Sequence, residues 1–209
     1  MRLDFAERLR CPRSHAPTPL VVVSRRKRGR ELLEGFAGCP VCQLEVPIVE
    51  GHVRFEGIEP APAGRAPELD RLIALLGLAE PEGAVLLTGR YALIAESLAE
   101  STGVHAIVMH AAKEWPANEL MSAVLGVLPL VPFTDATFRG AALDSGTPSA
   151  LAVDAVRVVQ VGGRVVGDAA MGVPAGLRAI ARDDQEWVAS REPIGPMVAL
   201  RRRGDDASP

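Results

Sequence analysis

From Glu68 onward, short apolar runs alternate with stretches of helical spacing, and this alternation restricts the fold more than any other feature of the chain. ELDRLIALLGLA places apolar residues at Leu69, Leu72, Ile73, Leu75, Leu76 and Leu78, close to the spacing of an amphipathic helix. AVLLTG and HAIVMH (His105 to His110) read as short buried strands, with a helix in ALIAESLAE between them. KEWPANELMSAVLG mixes helix signals with one proline. AALDSG is a further strand candidate, followed by a helix in SALAVDAVRVVQ and by a turn and strand in GGRVVGDA. VPAGLRAIARDD reads as helical, EWVASRE as a strand, and PMVALRRR as a last strand. Strands and helices in alternation imply βαβ units: an α/β fold with a Rossmann-like, mostly parallel sheet covered on both faces. Right-handed crossovers then gather the strand C-termini on one edge, where ligands bind.

Residues 1–56 differ, being rich in cysteine, proline and basic side chains, with short strands and turns. GIEPAPAGRAP, residues 57–67, reads as a linker. The α/β region is then 68–203, and 204–209 is expected to be a disordered tail. A chain of 209 residues has room for one moderate domain and a small module. Its net charge of −3 gives no global drive toward nucleic acid or an anionic membrane, so any basic surface has to be local. No apolar run approaches the roughly 20 residues that span a bilayer. MRLDFAERLRCP carries acids among its apolar residues and no secretory h-region, so the expected location is the cytoplasm.

Three cysteines without an export signal point to metal ligation rather than to disulfides. CPRSH (Cys11 to His15) and CPVC (Cys39 to Cys42) bracket 23 residues, as two hairpin knuckles do around a tetrahedral zinc ion. The second knuckle is a complete C-x-x-C. The first has Ser14 at the second cysteine position and His15 one further on, which makes a Cys3His site of Cys11, His15, Cys39 and Cys42. A small module gains much of its folding energy from such an ion. The alternative is a decayed site with three buried cysteines and a surface histidine. His52 reads as an ordinary strand or surface residue.

Residues 4–55 resemble the zinc ribbon fused to, or partnered with, many methyltransferases. FAERLRCPRS, GCPVC and VPIVEGHVRF stand where that family has LLxxLxCPxC, CxxC and YPIxDGI followed by a short apolar strand. The departures are Ser14 and, in place of the usual tyrosine, Val46. Between the knuckles lies RRKRGR, with Arg25, Arg26, Lys27, Arg28 and Arg30. It reads either as a solvated hairpin tip that protects a sheet edge or as a phosphate-contacting tip for RNA. No aromatic residues are interleaved to stack bases.

Residues 68–203 resemble a class I S-adenosylmethionine-dependent methyltransferase. LLGLAEPEGAVLLTG is similar to the helix and strand that end in VLDxGxGxG, VPFTDATFRGAALDSG to LPFxDxSFDxV, and AVRVVQVGGRVVGD to LRVLRPGGRLV. The resemblance implies an antiparallel terminal strand pair and a cofactor loop at residues 85–93. Glycines in that loop let the backbone approach the cofactor without a Cβ clash. Here Leu87 stands at the aspartate, Gly89 at the first glycine, Tyr91 at the second and Leu93 at the third. His110 stands at the acid that accepts from the ribose hydroxyls, and Val127 at the acid that meets the adenine. Losing two such contacts, at roughly 1.5–3 kcal/mol for each hydrogen bond to a charged group, amounts to orders of magnitude in affinity.

The resemblance with these departures implies a pseudoenzyme: a methyltransferase-like protein whose work is binding, to a partner enzyme or an RNA-containing assembly. The alternative is an active methyltransferase with a divergent cofactor pocket, and a third reading is an RNA-binding module centred on Arg25–Arg30. Asp144-Ser145-Gly146 reads as a helix cap, and Asp168, Asp183 and Asp184 as solvated acids. His105 has no sequence feature placing it beside Ser145, and Trp115 and Trp187 read as core fillers.

Overall fold

The computed structural model describes residues 1–57, 64–109, 120–126 and 128–193. A short helix α1 (Leu3–Ala6) precedes a hairpin of β1 (Val21–Arg28) and β2 (Glu31–Gly38). Then come β3 (Glu45–Val49), β4 (His52–Arg54), α2 (Leu69–Leu76), β5 (Ala84–Thr88), a 3₁₀ turn at Gly89–Ile94 and α3 (Ala95–Thr102). After β6 (His105–Met109) and β7 (Met121–Leu125) follow β8 (Phe138–Leu143), α4 (Ser149–Val158), β9 (Val159–Asp168), β10 (Leu177–Arg182) and β11 (Glu186–Arg191).

All the described strands join one sheet, in the order β1-β2-β3-β4-β7-β6-β5-β8-β9-β11-β10. From β4 to β9 each neighbour is parallel, and β11 and β10 close the far edge as an antiparallel pair. Strand β5 lies in the middle of the parallel part. Val85 and Leu87 point to the face packed by α2 and α3, with Leu72, Leu76 and Leu98. Ala84 and Leu86 point to the other face, with Leu151 and Ala155 of α4. A strand buried on both faces has no polar side, so β5 and β6 read as continuous apolar runs in the sequence. α2 ends where Gly77 adopts φ +69°, a left-handed cap that leaves the helix nowhere to continue.

The cysteine-rich region is built into this sheet. Val53 and Arg54 of β4 pair in parallel with Val124 and Leu125 of β7, and Phe55 N–H donates to Leu125 O at 2.8 Å. The segment ahead of β1 crosses to the loop before β8: Arg10 N–H donates to Pro132 O (3.0 Å) and Thr134 N–H to Arg8 O (2.8 Å). Phe5 stacks on His105 of β6 with centroids 4.7 Å apart. One apolar cluster therefore runs from Leu9, Cys11 and Cys39 through Phe133 and Phe138 to Trp187.

Two segments differ from their sequence reading. MSAVL carries helix signals but forms β7, because an unalternating apolar run fits a strand covered on both faces. LRAIAR in VPAGLRAIARDD forms strand β10 instead of a helix. Its Ala, Leu and Arg favour a helix locally, but pairing along β11 overrides that preference. The aspartates taken as that helix's end form the hairpin turn, where Asp183 Oδ1 accepts from the N–H groups of Gln185 and Glu186 (both 2.9 Å). The turn expected in GGRVVGDA is an irregularity inside β9, which starts at Val159 directly after α4: Gly162 takes φ +81°, and the register shifts between the Phe138–Val159 and Gly140–Arg164 pairs. His52 is a strand residue, but a buried one. Trp187 fills the core against Gly167, where any Cβ would strike its ring. Residues 58–63 of the expected linker, Trp115, His110, Val127, the PMVALRRR segment and 204–209 lie outside the described residues.

Candidate metal cluster and sheet-edge crevice

The two knuckles meet at the end of the β1–β2 hairpin. The ligand atoms of Cys11, His15, Cys39 and Cys42 all lie within 4.8 Å of one another. Cys11 Sγ is 3.6 Å from Cys42 Sγ and 3.1 Å from His15 Nε2, which is 3.5 Å from Cys39 Sγ. Around a tetrahedral zinc ion, with bonds of about 2.3 Å to sulfur and 2.0 Å to nitrogen, such atoms stand roughly 3.5–3.8 Å apart. The Cys11–Cys42 and His15–Cys39 separations fall at that spacing, and the His15–Cys11 separation of 3.1 Å is shorter. Both turns also have the knuckle pattern in their backbones, Arg13 N–H donating to Cys11 and Leu44 N–H to Cys42. His15 Nδ1–H donates to Ala16 O at 2.7 Å, which leaves the Nε2 lone pair for a cation. Burial pushes the Cys11 thiol up to about 11, with Cys42 and Cys39 beside it adding to the shift. Ser14 is exposed and outside the cluster. The single inserted residue lets the first turn deliver His15 instead.

The other candidate site lies where the chain leaves β5 for β6 on one side and returns to β8 on the other. In such sheets ligands occupy the crevice beyond the strand C-termini at this switch point. At this point stand Thr88, the last residue of β5, Gly89 just beyond it, and Asp144 and Thr147 after β8, all buried. Thr88 Oγ1 accepts from Asp144 N–H (3.0 Å) and shares a 2.7 Å bond with Thr147 Oγ1. Asp144 Oδ1 accepts from Gly146 N–H at 2.8 Å, while Pro148 holds the cap position of α4, so Asp144 is a turn residue rather than the helix cap. Gly89 has φ +51°, and a Cβ there would lie 2.6 Å from Asp144 Oδ1. Only glycine admits that carboxylate.

Arg90 follows, 18 % exposed, with Asp168 Oδ2 at 3.3 Å, Glu186 Oε1 at 3.5 Å and Asp144 Oδ2 at 3.9 Å. Tyr91 is fully buried, its hydroxyl donating to Glu186 Oε1 at 2.9 Å, and burial followed by the Glu186 charge holds its pKa above the usual phenol value. Leu93 is 37 % exposed, so of the two bulky loop positions only Tyr91 turns inward. Arg71 of α2 completes the network, reaching Glu186 Oε2 (2.9 Å) and Asp183 Oδ2 (2.5 Å). Asp168 and Asp183 are therefore network members rather than simply solvated acids. A polar cavity of about 530 Å³ opens beside them, lined by Arg65, Glu68, Arg71, Arg90, Gln185 and Glu186. Arg90, Arg71 and Glu186 were missed in the sequence because their partners are some hundred residues distant and meet only through strand order. The signal within reach was Arg90, inside the TGRYAL stretch itself.

Neither of the remaining sequence candidates forms a catalytic pair. His105 bonds Ser122 Oγ at 3.1 Å at the start of β6, away from the strand C-termini. The basic hairpin tip is exposed, with Arg26 paired to Glu34 (2.5 Å) and Arg28 to Glu31 (2.7 Å). No helix among the described residues is long and apolar enough to cross a membrane.

Comparison with known proteins gives no matching family model and no matching curated protein. Solved structures do match. The chain is 13% identical to a chain from the complex between the Haloferax volcanii Trm112 methyltransferase activator and a methyltransferase, covering 59% of this protein and 89% of that chain at a TM-score of 0.44. It is 12% identical to the antibiotic-resistance methyltransferase Kmr, covering 65% and 98% at a TM-score of 0.42. With a structure assigned as a sarcosine dimethylglycine methyltransferase from Galdieria sulphuraria it shares 14% identity at a TM-score of 0.39, covering 47% of this protein and spanning only 44% of that chain. The fold class rests on the strand order itself: a Rossmann-like, mostly parallel α/β sheet with an antiparallel end.

Proposed function

We propose that this is a methyltransferase-like protein that has lost ordinary S-adenosylmethionine binding and acts by binding another macromolecule, with a zinc-ribbon-like module joined to the edge of its α/β sheet. The observation that carries this reading is the close approach of Asp144 to Gly89. The one glycine kept in the loop accommodates a carboxylate of the chain itself, while Arg90 is held among Asp168, Glu186 and Asp144. Loop backbone and cation are engaged within the protein, and a cofactor would have to displace both. Cys11, His15, Cys39 and Cys42 would hold zinc, which supplies cross-linking of the two knuckles and no chemistry at the crevice.

One observation favours a second reading, an active methyltransferase with a divergent site. The cavity of about 530 Å³ lies at the ligand-binding edge and falls within the roughly 300–1,000 Å³ of small-molecule sites. Isothermal titration of the full chain with S-adenosylmethionine separates the two. The expected result is no binding in the micromolar range, and micromolar binding overturns the proposal.

A further inference from the structure

Strand β1 is the outer edge of the sheet, paired on one side by β2 and exposed along its length apart from Val22. Val21 and Val23 are 58 % and 41 % exposed. Register sets Val23 opposite Phe36, so these side chains share a face of the hairpin. Beside them a groove of about 500 Å³ runs past Pro40 and Leu44 to the second knuckle, and its lining is mainly apolar. Three valines on an edge strand invite another strand to pair. The second half of β1 answers with Arg25, Arg26, Lys27 and Arg28, and with register irregularities between Ser24 and Lys27. Arg26 and Arg28 are neutralised by Glu34 and Glu31, but Arg25 lies over the Phe36 ring, 5.7 Å from its centroid, at the margin of the groove.

We infer that β1 and its groove take an extended segment of a partner protein as an additional strand, apolar where it meets Val21 and Val23 and acidic where it meets Arg25 and Lys27. Main-chain bonds would supply affinity and alternate side chains specificity. Charge decides between occupants. A second copy would bring only valines, a serine and cations to the seam, so nothing on its edge strand could neutralise Arg25 and Lys27. RNA would use the cations but leave the valine groove without a role. An acidic, β-forming peptide satisfies both halves. This inference deepens the binding reading above and rests on it for its biological sense, yet the two fail separately, since cofactor titration reads the crevice and peptide titration reads β1.

The test is fluorescence anisotropy of the full chain with a labelled, N-acetylated peptide of alternating Asp and Glu followed by Thr-Val-Ile-Val, designed to pair antiparallel. Binding is expected, and it should weaken at least ten-fold both in Val21→Asp/Val23→Asp and in Arg25→Glu/Lys27→Glu. Val23→Thr, which keeps strand propensity, should weaken it less, and Ile180→Asp on the opposite edge should leave it unchanged. A peptide with lysines in place of the acids should not bind. No binding by the wild type overturns the inference, as does binding indifferent to the valine variants. So does a concentration-dependent dimer that Val21→Asp/Val23→Asp dissociates, which would assign the edge to a second copy. Tighter binding of a single-stranded RNA, blind to the valine substitutions, would assign it to nucleic acid.

Discussion

At the knuckles four lone-pair donors converge on a point, an arrangement that calls for a cation from outside the chain. At the sheet-edge crevice the chain supplies its own cation: Asp144, Asp168 and Glu186 converge on Arg90, and Glu186 is shared with Arg71 and Tyr91. The first region holds lone pairs for a ligand, whereas the second balances its charges within the chain, with only the buried Nε of Arg90 left without a hydrogen bond there. Both lie where a fold of this kind places a site, so position alone does not tell them apart. The distinction lies in whether the converging charges are balanced without a ligand.

The largest expected effect tests the first half of that contrast. Cys39→Ser/Cys42→Ser should lower bound zinc from one ion per chain to none by elemental analysis. It should also lower the melting temperature by about 10 °C or more, since each kcal/mol shifts a chain of this size by about 2–4 °C and structural zinc contributes several. Ser14→Ala should change neither quantity; a loss of zinc there would mean that the first knuckle ligates through a different residue.

Gly89→Ala comes next. Left-handed φ and a Cβ driven into Asp144 together should destabilise the fold by about 2–4 kcal/mol in urea titration. Unchanged stability would mean the glycine is kept for a ligand's approach, and the contrast would fail. Tyr91→Phe removes a bond to a carboxylate that retains Arg71 and Arg90, so about 1–2 kcal/mol is expected by the same measurement.

The smallest effect is electrostatic. Backbone N–H bonds from Glu186 and Gln185, then Arg71, hold the Asp183 carboxyl down at about 2. A depressed folded-state pKa stabilises above the unfolded value of roughly 3.9 and is lost as pH falls toward 2. Asp183→Asn should flatten the stability profile between those pH values, and only slightly, because the group is exposed.

Much of the fold was legible because several of its elements satisfy a local pattern. AVLLTG and HAIVMH are apolar throughout, and the Gly77 cap and the C-x-x-C turn have short-range causes. LRAIAR was not legible. Its residues favour a helix, and only the neighbouring strand β11 makes a strand the better use of them. The metal donors were readable because two turns of fixed geometry carry them. Arg90, Asp144, Asp168 and Glu186 were not, as each comes from the end of a different strand.

VLLTGRYAL by itself determined a strand, a turn at Gly89 and the absence of further loop glycines. What fills the turn was decided by the sheet order, which sets β8 beside β5 and so brings Asp144 against Gly89. Periodicity and turn chemistry act over a few residues, so sequence carries them directly. The closure of a crevice depends on side chains that meet only after the strands have assembled, and that was left to the tertiary structure.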